Sequence, residues 1–116
     1  QRVAARYSLN LNGRLTTPWV PEGYLSSWAQ YTVRVPADSR PQIMSALADQ
    51  GVPTMIYYPR PLHLQPAFAD FGGREGELPQ AELAALEVMS LPMHPYLSDA
   101  EVDAVSAALI EILERL

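Results

Sequence analysis

Pro53-Thr54-Met55-Ile56-Tyr57-Tyr58-Pro59-Arg60-Pro61-Leu62-His63-Leu64-Gln65 starts as an apolar run and ends as a proline-paced turn. Residues 54–58 suit a buried strand, and Pro59 and Pro61 then forbid a helix and hold the chain extended. The turn concentrates two phenols, a guanidinium, an imidazole and a carboxamide on a stiff backbone. Ordering such side chains around a ligand costs little entropy. The plainer reading is a strand exit with amphipathic tyrosines at a core edge, and the residues alone leave both open.

The flanking sequence makes this the second strand of an alternating order of strands and helices. Val3, Ala4, Tyr7 and Leu11 share one face of a helix over Gln1–Leu11, which Asn12-Gly13 ends. This helix has no N-cap, so a cut through a longer protein is expected, and with it looser packing of the helix. Leu15–Ser27, with Pro18, Pro21 and Gly23, reads as an ordered connector. Trp28–Val35 alternates as a half-buried strand, with Ala29, Tyr31, Val33 and Val35 on its apolar face. Ser39 and Gln42 suggest a capping box for a helix that buries Ile43, Met44, Leu47 and Ala48 and stops at Gly51.

Past His63, Pro66–Phe71 reads as a helical turn and Gly72–Glu77 as a polar loop. Pro79 opens a helix to about Glu87 with Leu83 and Leu86 inward. Val88–Leu91 is the third strand. Ser98 and Glu101 form a capping box, with Leu97 stapled onto Val102, before a helix that runs to the end. The expectation is an α/β (α+β) domain spanning 1–116. Its three-stranded, largely antiparallel sheet (Trp28–Val35, Thr54–Tyr58, Val88–Leu91) is covered by helices.

Composition narrows the chemistry. The 116 residues carry 48% hydrophobic and 18% charged side chains, a globular balance. A net charge of −5 argues against nucleic acid or an anionic membrane as partner. No cysteine is present, which removes thiol chemistry and disulfides. All eight basic residues are arginines: Arg2, Arg6, Arg14, Arg34, Arg40, Arg60, Arg74 and Arg115. Chemistry that needs a lysine amine therefore cannot come from this chain. With no signal peptide or long apolar stretch, a soluble, cytoplasmic protein is the expectation.

His63 and His94 lie in separate proline-rich turns without partners at ligand spacing, so no metal site is expected. His63 suits hydrogen-bond donation to an anionic or hydroxyl-rich ligand, because Arg60 is near. His94 reads as loop packing. Asp99 and Glu101 are explained by the helix start they occupy. Gln30 and Tyr31 could line a pocket from their strand, with core packing the alternative for Tyr31. No G-x-S-x-G elbow supports a hydrolase.

Several motifs then fall in a familiar order. Tyr57-Tyr58-Pro59-x-Pro61-Leu62-His63-x-Gln65 resembles a segment of the small domain of the DegT/DnrJ/EryC1/StrS aminotransferases, the sugar aminotransferases that depend on pyridoxal phosphate. Ser27–Val33, Arg40 with Gly51-Val52-Pro53-Thr54, Leu78-Pro79-Gln80-Ala81-Glu82 and Ser90–Ser98 are similar to further motifs of that family. The resemblance covers almost the whole chain. It implies the small C-terminal domain of a fold-type I enzyme, with residues 1–12 as a helix of the interdomain region and the large cofactor-binding domain absent. It implies transfer of an amino group from glutamate to a keto nucleotide-sugar by a complete enzyme that is a homodimer. Pyridoxal phosphate belongs to that enzyme and none is expected on this chain alone. The chain would hold no catalytic residue and be inactive by itself. By position, Tyr57, Tyr58, Arg60 and His63 match the segment that approaches the nucleotide-sugar, with Gln30 and Tyr31 matched less closely. A non-catalytic ligand-binding or interaction module of the same fold, or a family member that senses a ligand without chemistry, is the alternative.

Overall fold

The computed structural model describes residues 1–116. The elements run α1 (Arg2–Leu11), β1 (Tyr31–Arg34), α2 (Arg40–Asp49), two 3-10 turns (Leu62–Leu64 and Pro66–Phe71), α3 (Pro79–Glu87), β2 (Val88–Leu91) and α4 (Asp99–Glu114).

The sheet has two strands where three are expected. β1 and β2 pair antiparallel, with Tyr31 opposite Leu91, Thr32 opposite Ser90, Val33 opposite Met89 and Arg34 opposite Val88. The expected strand at Thr54–Tyr58 reduces to a single bridge. Met55 exchanges both backbone hydrogen bonds with Ser90, at 3.2 and 2.7 Å, on the outer edge of β2. Pro53 and Pro59 bracket this segment and have no N–H to extend the ladder. The Tyr57–Tyr58 peptide is cis. On the other edge, Thr16 bridges Arg34, so the connector also touches the sheet. β1 is shorter than the expected Trp28–Val35, although Tyr31, Val33 and Val35 are buried as the alternation requires.

One face of the sheet makes the core. Tyr31, Val33, Met89 and Leu91 pack with residues of α1, α2 and α4. Strand pleating sends Thr32, Arg34, Val88 and Ser90 to the other face. There Thr32 and Ser90, directly opposed, join hydroxyls at 2.7 Å. A two-stranded sheet alone is marginal in water, so the helices stabilise it. Each core side chain contributes roughly 1.5–3 kcal/mol by leaving water.

α1 packs firmly, against expectation. Val3, Ala4, Tyr7 and Leu11 are buried. The Tyr7 and Tyr31 rings stack at 5.0 Å between centroids, and Trp28 extends the stack at 5.7 Å from Tyr31. Both phenols are satisfied: Tyr7 donates to the Pro92 carbonyl at 2.9 Å and Tyr31 shares a 2.8 Å bond with Ser8. Burial pushes Tyr7 up to about 12 and raises Tyr31. Outside the core, Arg6 grips Asp103 of α4 through two bonds of 2.7 and 2.5 Å, and Asn10 adds a third at 2.7 Å. Arg2 pairs with Asp99. This helix needs no N-cap because α4 fixes it through both apolar and ionic contacts.

Helix ends follow the sequence in part. Ser98 accepts from the Glu101 N–H and Glu101 returns to the Ser98 N–H at 2.7 Å, completing the capping box of α4. Leu97 and Val102 are both buried beside it. Ser39 does not cap α2: its φ of −95° and ψ of −15° are already helical, whereas a capping serine is extended. A turn on the Pro36 carbonyl starts α2 instead, accepting from Ser39 and Arg40. α2 buries Ile43 and Leu47, with Met44 half-buried and Ala48 exposed. Gly51, at φ +77°, ends it. In α3, Leu83 and Leu86 are 43% and 54% exposed, and the buried residue is Ala85.

Truncating Leu109, fully buried in α4, is expected to cost about 2–5 kcal/mol in urea unfolding. The hydrogen bonds from Arg6 and Asn10 hold the Asp103 carboxyl down to about 2. An aspartate in the unfolded chain titrates near ~3.9. The fold therefore gains stability from this group above that pH and loses it as pH falls toward 2. Asp103→Asn is expected to flatten the acid limb of the stability curve between those values; an unchanged limb would remove Asp103 from the account.

Candidate functional site

The proline-paced segment does not continue the sheet; it turns across its polar face. After the Met55 bridge, Tyr57 and Tyr58 swing outward, 40% and 68% exposed, with their rings edge-on at 6.1 Å. Pro59 and Pro61 deny their neighbours a helix, so the chain reaches the Leu62–Leu64 turn extended. Gln65 folds back and donates to the Arg60 carbonyl at 3.2 Å.

Opposite this segment lies α3. Ala81, Ala84, Ala85 and Val88 recur at helical spacing and form a low floor. Tyr57, Tyr58, Arg60, Pro61, Leu62 and His63 wall it, and Leu78 closes one end. The recess holds about 410 Å³. Arg40 pins its floor from below, donating to the carbonyls of Ala85 and Val88 at 2.6 and 3.1 Å. A second hollow of about 200 Å³ adjoins it, lined by Gln30, Met55, Ser90 and Met93. Tyr57 lines both.

Sequence reasoning named six residues, and the structure brings five of them to these two hollows. Tyr57, Tyr58, Arg60 and His63 share the larger one, and Gln30 lines the smaller. Tyr31 is not there. It has no exposed surface and sits in the aromatic stack, held by Ser8. His94 lies apart in an exposed turn, where Nδ1 accepts from the Tyr96 N–H at 3.3 Å.

The sequence reading missed what holds His63. Its Nε2 lies 2.9 Å from Oε1 of Glu82, on the first turn of α3. The same carboxylate accepts from the Gly76 N–H at 2.9 Å to each oxygen and from the Leu78 N–H at 3.2 Å. These bonds, that from Gly76 foremost and that from His63 next, hold Glu82 below the usual carboxylate range. Gly73 fits against the backbone of His63 so closely that a Cβ there would stand 2.4 Å from the His63 carbonyl oxygen. The loop and the turn are thus fastened at two points. An acid four residues past Leu78, at a helix start, was the one sequence signal for this role.

The recess wall carries one guanidinium, two phenols and one imidazole. Arg60 and Arg74 make no guanidinium contact within the chain, whereas Arg2, Arg6, Arg14, Arg34 and Arg115 are each in an ion pair. A free guanidinium, two phenols and an imidazole above an apolar floor suit a ligand with phosphate and hydroxyl groups. No group of three or more metal-ligating side chains converges anywhere in the chain. No helix is long and apolar enough to cross a membrane.

Comparison with known proteins agrees along nearly the whole chain. The family model described as the DegT/DnrJ/EryC1/StrS aminotransferase family matches residues 1–110. The chain is 46% identical over 110 residues to the UDP-2-acetamido-2-deoxy-3-oxo-D-glucuronate aminotransferase of Pseudomonas aeruginosa, covering 94% of this chain and 29% of that protein. Among solved structures, S. venezuelae DesV in complex with a ketimine intermediate aligns with a TM-score of 0.91 at 35% identity, over 99% of this chain and 31% of that one. The PLP form of Spr1654 from Streptococcus pneumoniae aligns at 0.85 with 29% identity, over 98% of this chain and 30% of that one. The chain therefore spans about 30% of the length of the relatives it matches.

Gly73→Ala is expected to force the Gly72–Leu78 loop off the His63 turn. Amide exchange at Gly76 and Leu78 should then quicken, while that of β1 and β2 stays unchanged. Equal protection in both proteins would show that the close approach is dispensable.

Proposed function

The chain belongs to the DegT/DnrJ/EryC1/StrS aminotransferase family, and we propose that it is the C-terminal small domain of a nucleotide-sugar aminotransferase dependent on pyridoxal phosphate. The complete enzyme moves an amino group from glutamate to a keto group on the sugar. The observation that carries this reading is the recess between the Tyr57–His63 segment and α3, walled by phenols, a free guanidinium and an imidazole.

In this reading the domain binds and orients, and the reaction is performed elsewhere. The chain has no lysine, so none of its residues can join the cofactor through an amine. The recess side chains do not fit the cofactor in that sense, and no chemical step is assigned to them. Arg60 meets the charge of the diphosphate. Tyr57 and Tyr58 supply rigid, amphipathic surface and hydroxyls to the nucleotide-sugar, and Gln30 reaches it from the adjoining hollow. Apolar floor and polar wall together hold the sugar and exclude water around it. The connector supports a larger neighbour: Trp19, Tyr24 and Leu25 are each at least 75% exposed, an unusual surface for an isolated domain.

The deciding measurement uses the protein made from the complete reading frame. With pyridoxal phosphate added, a visible band from lysine-bound cofactor is expected, and glutamate should shift it. A folded protein without that band would sink the aminotransferase reading. In the same protein, Arg60→Ala is expected to raise KM for the nucleotide-sugar by about 10- to 100-fold, as loss of a charged hydrogen bond does, with kcat less affected. The 116-residue chain alone is expected to show no turnover, and any measurable turnover would contradict the assignment.

A further inference from the structure

The clasp between His63 and Glu82 settles which ring nitrogen carries the proton. Glu82 accepts backbone N–H bonds from Gly76 and Leu78. Those bonds favour its ionised form. An ionised carboxylate has no proton to give, so the hydrogen in the 2.9 Å contact belongs to Nε2 of His63. In a neutral imidazole the other nitrogen then carries a lone pair. Nδ1 makes no hydrogen bond within the chain, and it is not among the buried unpartnered atoms, so it reaches the surface. The ring itself lines the larger recess.

We propose that Glu82 is a positioning residue that holds the His63 ring with a proton on Nε2, leaving Nδ1 to accept a hydrogen bond from a ligand hydroxyl. The ligand half of this statement rests on the nucleotide-sugar reading of the recess. It reverses the role expected from sequence, in which His63 donates. It also divides recognition by chemistry. An acceptor nitrogen takes an O–H and repels phosphate oxygens, so the anion falls to Arg60 and the sugar hydroxyl to His63. The chain commits two loop N–H groups and the close approach of Gly73 to hold this geometry.

Nitrogen-detected NMR of the histidine-labelled 116-residue chain, at a pH above the ordinary imidazole range, tests the assignment. The wild-type ring is expected to show one tautomer, with a slowly exchanging Nε2–H and a nuclear Overhauser contact to the Glu82 side-chain methylenes. Glu82→Ala should release the ring to the mixed tautomers of free imidazole, with the Tyr7 and Tyr31 core signals unmoved. A proton on Nδ1 in the wild type, or a ring signature identical in the variant, overturns the proposal. The wild-type contact alone decides the first point even if the variant does not fold. UDP-glucose added to the complete-frame protein is expected to shift Nδ1 and leave Nε2–H in place. If the tautomer holds and Nδ1 does not move, the ligand half falls while the positioning by Glu82 stands, which separates the two failures.

Discussion

Tyr31–Arg34 and Val88–Leu91 lie more than fifty residues apart in the chain, yet their four backbone pairs anchor everything else. Their two faces carry opposite duties. One presents Tyr31, Val33, Met89 and Leu91 to three helices and makes the core. The other presents Val88 and Ser90 to the two hollows. A one-residue slip in register would exchange these sets. Burial of the first set thus specifies the position of the second. Thr32 and Ser90 reinforce the register from the polar side, since their hydroxyls can meet only when directly opposed.

The recess is built by segments that make little regular structure of their own. Loops tolerate this only where their polar groups find partners. Here Arg40 ties α2 to the end of α3, and Glu82 ties the start of α3 to the glycine loop and to His63. Both ends of α3 are therefore fixed from outside the helix. It is a nine-residue helix, too short to be stable alone, with only Ala85 buried. Its position relies on these two polar anchors more than on a hydrophobic stripe, and that frees its alanine face to floor a cavity.

The sequence made the helices and the two true strands legible through local signals: helical or alternating periods, a short apolar run at Val88–Leu91, and helix-start residues at Pro79 and Ser98. Val3, Ala4, Tyr7 and Leu11 mark α1, and the Ser98–Glu101 box marks the start of α4. It misled where tertiary geometry overrode those signals. Thr54–Tyr58 has strand composition, but only Met55 bridges between the flanking Pro53 and Pro59. Leu83 and Leu86 look inward by hydrophobicity, yet the small residues Ala81, Ala84 and Ala85 face the turn because room is needed there. Tyr31 went where its alternation placed it, on the apolar face with Val33 and Val35, and core packing rather than a pocket is its role. Four of the expected site residues fell at one hollow because recognition chemistry was concentrated in one stretch, and Gln30 reaches the adjoining hollow from just before β1. Glu82 lies nineteen residues from His63, and no local pattern joins them.

The absence of lysine and the presence of a free guanidinium lead to one argument about the division of labour. Under the proposed function, a domain that supplies only binding acts through geometry, holding a ligand so that groups on a neighbouring body can act on it. Such a task favours directional, well-supported contacts over reactive ones. The side chains that face the recess fit that pattern. His63 is held by a carboxylate that stays ionised because backbone N–H groups surround it. Rotating the imidazole would break the bond to Glu82 and leave that oxygen fewer partners. The ring is thereby locked by the same contacts that secure the Gly72–Leu78 loop, so loop order and the orientation of the imidazole are one property of the fold.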